Sequence, residues 1–191
     1  MGLHVHSLAE IPIEAKRGYY LYILDYGWEE PLGNVIEKNF NKIAGLASRN
    51  DAVVVRGEKG VHFEDEVLSW HHVNGAPSEE LLPAILISNI HPRHFRDQYA
   101  GGGSDTLTAG DKLILIPLRK LCTTPDDVVR LLERLFKDIK NKKQLCEFEV
   151  LREMKRGKDR AILDALILKP SIAGLGIDLN YIADYFTGKR K

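Results

Sequence analysis

The sequence predicts an α/β domain whose sheet is covered on both faces, and three observations carry that prediction. Four short apolar runs, at residues 19–24, 51–57, 84–88 and 113–118, have the length and the β-branched or aromatic composition of strands. Segments with apolar residues at helical spacing alternate with them. The runs are also unbroken, as in strands buried on both sides, so the sheet is expected to be mainly parallel, with helices as right-handed crossovers.

Residues 1–18 show little periodicity and end in Glu14-Ala15-Lys16-Arg17-Gly18, which reads as an N-terminal arm or short edge element. The main domain is expected at 19–186, and 187–191 form a basic tail. Tyr19-Tyr20-Leu21-Tyr22-Ile23-Leu24 gives the first strand, ending at Asp25-Tyr26-Gly27. Asn34 is a candidate N-cap for a helix carrying Val35, Ile36, Phe40, Ile43 and Leu46 on one stripe. The second strand, closed by Gly57, completes a β-α-β unit.

Glu64-Asp65-Glu66 places three acids in the first turn of a helix expected over 63–74, with Gly75 as its stop. The third and fourth strands follow, separated by a loop whose tip is Gly101-Gly102-Gly103. Thr124-Pro125-Asp126-Asp127 combines an N-cap hydroxyl, a first-turn proline and two acids, and starts a helix with Val128, Leu131, Leu132, Leu135 and Ile139 on its apolar stripe. Residues 145–154 alternate in part as a strand, and with 161–168 they suggest an antiparallel C-terminal hairpin whose second arm is also compatible with a helix. A short helix over 179–186 closes the domain. The expected architecture is therefore a three-layer, mainly parallel sheet of the flavodoxin-like or Rossmann-like kind, with a C-terminal hairpin.

A length of 191 residues suits one domain with a substantial core. Twenty-seven Lys and Arg balance 27 Asp and Glu, which removes the general electrostatic case for a nucleic-acid partner or an anionic membrane. The two cysteines, Cys122 and Cys146, are too far apart in sequence for a CxxC pair, and no apolar stretch reaches the length of a membrane span. A reduced cytoplasmic setting is the expectation.

Ligands of open α/β sheets bind beyond the carboxyl ends of the strands. That rule selects Asp25, Tyr26, Gly27 and Trp28 after the first strand, Arg56 and Gly57 after the second, and Ser88, His91 and His94 after the third. The segment from Asp51 to Gly57, a loop, and Glu64-Asp65-Glu66-Val67-Leu68-Ser69-Trp70 resemble the nucleoside 2-deoxyribosyltransferase-like proteins and, more distantly, TIR domains over residues 19–90. Both families carry a strand, a loop and a helix-borne Glu in succession. The resemblance implies cleavage or exchange of an N-glycosidic bond, as by a hydrolase or transferase. Glu66 would stabilise or capture the sugar cation, with Asp25 and His91 assisting. Tyr26, Trp28 or Trp70 would stack on a base. The chain departs from the transferases in having Leu68 and Trp70 where small residues are usual, and it lacks the TIR Trp-Cys pair.

Acids in a first helical turn are equally what helix stability selects, and Trp70 at helical spacing with Phe63 and Val67 fits a core residue. The histidines form no HExxH pattern, so no metal ligand set and no cofactor are assigned. Gly174-Leu175-Gly176-Ile177-Asp178 reads as a turn. Two function classes follow: an enzyme acting on a nucleoside or NAD-like molecule, and a non-catalytic module that senses a nucleotide or docks a protein partner or a second copy of itself.

Overall fold

The computed structural model describes residues 1–14, 16–25, 31–71, 73–74, 81–94, 113–156, 167–168 and 177–178. Strands β1 (Gly2–Val5), β2 (Tyr19–Leu24), β3 (Ala52–Gly57), β5 (Ala84–Ser88), β6 (Leu113–Pro117) and β7 (Ile167–Leu168) form one sheet in the order β1-β3-β2-β5-β6-β7. A separate parallel pair joins β4 (Val73–Asn74) to β8 (Ile177–Asp178). The helices are α1 (Pro31–Arg49), α2 (Phe63–Trp70), α3 (Leu118–Leu121), α4 (Pro125–Lys140) and α5 (Glu149–Arg156).

The α/β class is as the sequence indicates, but the sheet is mixed rather than mainly parallel. Strands β1, β3 and β2 run parallel, whereas β2 with β5, β5 with β6 and β6 with β7 are antiparallel. The direction changes between β3 and β5, a stretch that holds the eight-residue helix α2, with a rise of about 12 Å. The chain then returns to the edge it left, so β5 begins with Ala84 beside Leu24 and ends with Ser88 beside Tyr20.

Side-chain alternation divides the core into two layers. One face of the sheet carries Leu21, Ile23, Val54, Ile85, Ile87 and Ile114 against Ile36, Phe40 and Ile43 of α1 and Leu131 and Leu135 of α4. The other carries Tyr20, Tyr22, Val53, Val55 and Leu86 against Phe63, Val67 and Leu68 of α2. Leu8 and Ile11, each 1% exposed, pack on that second face as well. Residues 6–13 are thus a strap running from the end of β1 back over the sheet. The edge strand β1 lies tight on α1, since a Cβ on Gly2 would stand 2.4 Å from that of Ala44.

Several local signals hold. Thr124 caps α4, its hydroxyl accepting from the Asp127 N–H while the Asp127 carboxylate accepts from the Thr124 N–H at 2.9 Å. Helix α1 starts at Pro31, one turn earlier than an Asn34 cap would place it. Helix α2 ends at Trp70 rather than near residue 74. The first arm of the expected hairpin is instead a 3-10 turn, Leu145–Glu147, followed by α5. Leu145, Phe148 and Leu151 recur every third residue and are buried, a spacing that serves a helical face better than a strand. Of its second arm, residues 167–168 pair with β6, and 161–166 lie outside the described residues. Of the expected turn at 174–178, residues 177–178 form β8. The triple-glycine loop, the closing helix over 179–186 and the basic tail also lie outside the described residues. Among the described residues, no helix is long and apolar enough to cross a membrane.

Candidate functional site

The parallel part of the sheet has one carboxyl edge, where β2, β3 and β1 end. Asp25 follows β2 there, and Arg56 and Gly57 close β3. Residue alternation places Asp25 and Arg56 on the α1 side, and the Arg56 guanidinium donates to the Asp25 carboxylate at 2.9 Å. These side chains are 16% and 12% exposed. Glu37 of α1 stands 3.9 Å from Arg56 and 3.4 Å from the Lys59 ammonium. Two acids and two bases therefore form one neutral network at the rim. Glu37 and Lys59 were not singled out from sequence, because neither sits in a motif; only the adjacency of the two strand ends brings them in.

Gly57 has a packing role at this edge. A Cβ there would stand 2.3 Å from the Phe63 Cβ, so the missing side chain is what lets α2 begin against β3. Tyr26, Gly27 and Trp28 lie outside the described residues.

Glu66 occupies the same edge but the opposite face. Its carboxylate accepts from the Ser7 hydroxyl at 2.6 Å and from the Leu8 N–H at 2.9 Å. Ser7 in turn caps the 3-10 turn Leu8–Glu10, and the His6 N–H donates to Glu10 at 3.0 Å. Both oxygens of Glu66 therefore hold the strap onto α2. Ser7-Leu8-Ala9-Glu10 carries the S-x-x-E spacing of a capping box, the signal that marks this turn in the sequence.

Ser88, His91 and His94 stand at the other end of the sheet. Because β5 is reversed, its carboxyl end meets the amino end of β2, and the five-residue step from Tyr20 to Asp25 spans about 17 Å. The Ser88 hydroxyl donates to the Ile90 carbonyl and accepts from the Ile90 N–H, each at 3.0 Å, which closes a turn. His91 is 6% exposed, accepts from the Arg93 N–H through Nδ1 at 3.2 Å, and meets Tyr20 edge-on at 5.3 Å between ring centroids. Burial holds its pKa below the ordinary value of 6.5; the Pro12 backbone opposes this, and the charges of His94 and Arg93 add to it. His94 is exposed, 5.7 Å from His91 by ring centroids.

Asp25, Glu66 and His91 thus occupy three places: one face of the carboxyl edge, its other face, and the opposite edge. Of the residues selected from sequence, Asp25 and Arg56 meet directly. Trp70 packs on the α2-side core, in keeping with its helical spacing. His71 is fully buried, and its Nδ1 donates to the Val67 carbonyl at 2.7 Å. Neither cysteine supplies a reactive thiol at the carboxyl edge: Cys122 is buried beside α4 with its pKa pushed up to about 11 by desolvation, and Cys146 lies in the 3-10 turn before α5. No protein-family model, no curated protein and no solved structure matches the chain.

Proposed function

We propose that the chain is a nucleotide- or nucleoside-directed binding module whose ligand sits at the carboxyl edge of β2 and β3 and is not cleaved through Glu66. The observation that carries this reading is the engagement of both Glu66 oxygens by Ser7 and Leu8, on the face away from Asp25 and Arg56. A carboxylate that captures a sugar cation must face the reacting carbon. Glu66 faces the strap.

The carboxyl edge offers the chemistry of a nucleoside site. Asp25 supplies a fixed acceptor for sugar hydroxyls, and Arg56 supplies donors oriented by two carboxylates. Helix α1 starts six residues after Asp25 and turns its positive end toward the same rim. Tyr26 and Trp28 stand between them in the sequence, as aromatic faces for a base.

Thermal shift and calorimetry with a panel of nucleosides, nucleotides and NAD, run beside chromatography of the same mixtures, test the proposal. Stabilisation without turnover is expected, with affinity falling about tenfold or more in Asp25→Asn, a loss of ~1.4 kcal/mol. Absence of any shift across the panel would refute it and leave the protein-docking reading. Turnover that disappears in Glu66→Ala would restore the N-glycosidic reaction.

A further inference from the structure

We infer that His62, Glu64 and Asp65, at the start of α2, form a binding site for one divalent transition-metal ion of the zinc class. This inference is independent of the nucleotide reading and concerns a different face of the molecule from Asp25 and Arg56. One ligand atom from each of the three side chains lies within 4.8 Å of the other two. The His62 Nδ1 and Glu64 Oε1 are already 3.7 Å apart. Ligands on one tetrahedral zinc, at ~2.0–2.1 Å from the metal, stand ~3.3 Å from each other, so the trio needs only a small contraction.

Burial is distributed as a metal site requires. The Glu64 side chain is 5% exposed, whereas that of His62 is 86% exposed and Asp65 is also on the surface, so both have room to turn onto an ion anchored by Glu64. Buried Glu64 has no cationic partner among the described residues except the His62 imidazole, which is charged only when protonated. A bound cation would relieve that buried charge.

The positive end of the α2 dipole opposes a cation, but at about half a charge it is outweighed by two carboxylates. One imidazole with two carboxylates favours zinc-like ions over magnesium or calcium, which take oxygen ligands only. Three protein ligands leave a fourth position for water. The sequence gives no warning of the site, since His-x-Glu-Asp matches no helical ligand spacing.

The test is titration of the full chain, stripped with EDTA, with Co²⁺ followed by visible absorption and with Zn²⁺ by calorimetry. One ion per chain is expected, with at least tenfold weaker binding in His62→Ala, in Asp65→Asn and in Glu64→Gln. Excess Mg²⁺ should not compete. His62 and Asp65 are exposed, so their variants keep the fold, and circular dichroism checks this. Absence of binding up to millimolar metal would overturn the inference. So would binding left unchanged by His62→Ala and Asp65→Asn, which would place the ion on other histidines, or equal competition by Mg²⁺, which would remove the imidazole from the site.

Discussion

Replacing Glu66 by alanine tests whether this carboxylate is a structural clamp or a reacting group. The substitution deletes the acceptor for the Ser7 hydroxyl and the Leu8 N–H. Hydrogen bonds to a charged group are worth roughly 1.5–3 kcal/mol each. Both are only partly buried, so water replaces some of the loss, and a total of about 2 kcal/mol is expected. The strap itself should stay docked. Leu8 and Ile11 are buried, and re-exposing them would cost roughly 1.5–3 kcal/mol apiece, more than the lost hydrogen bonds. Urea denaturation should therefore show a lower midpoint with an unchanged slope, and Tm should fall by roughly 4–8 °C for a chain of this size. Hydrogen exchange should accelerate at Leu8 and Ala9 while β3 remains protected. A double-mutant cycle with Ser7→Ala should give a coupling of about 1 kcal/mol. A loss below roughly 0.5 kcal/mol, with no coupling to Ser7, would refute the clamp.

Further outcomes follow from other contacts. Gly57→Ala forces a Cβ against Phe63 and should destabilise by roughly 1–3 kcal/mol, read as a drop in Tm; an unchanged Tm would mean that α2 shifts freely. His91 has a lower pKa folded than unfolded, so the unfolded chain binds more protons just below pH 6.5. Stability should fall as pH drops from 6.5 toward the folded pKa, and His91→Gln should flatten that slope in urea midpoints measured across the window. Buried Cys122, its pKa pushed up to about 11, should resist iodoacetamide at pH 8 in the native state while Cys146 reacts, with mass spectrometry showing one adduct natively and two in urea. Asp138 is fully buried and accepts from the Lys143 ammonium and the Glu149 N–H; Asp138→Ala should cost roughly 3–5 kcal/mol, and a mild effect would show that Lys143 escapes to water.

Much of the fold was legible because its strands are strongly apolar and its helices well marked. The runs at residues 19–24 and 84–88 became β2 and β5 residue for residue, and Thr124-Pro125 marked the start of α4. Strand direction was not legible. Ala84-Ile85-Leu86-Ile87-Ser88 is buried on both faces, so its side chains read the same in either orientation, and the reversal shows only in its pairing, with Ala84 beside Leu24. Direction then decided the site: with β5 reversed, Ser88, His91 and His94 moved to the far edge. Glu66 illustrates a second limit. An acid in a first helical turn has one appearance in sequence whether it faces a ligand, water or a strap laid down almost sixty residues earlier, and the Ser7 and Leu8 contacts separate these cases.

The strap and β1 also bear on the order in which the protein assembles. Gly2 pairs beside Val54, and Ser7 reaches Glu66 across a separation of 59 residues. Residues 2–8 therefore have no partner until β3 and α2 have followed them in synthesis. Contacts of such long sequence separation form slowly, because a large loop must close first. The β2-α1-β3 unit can collapse earlier, and β1 with the strap then fastens across it as a late step, made before that unit and set in place after it.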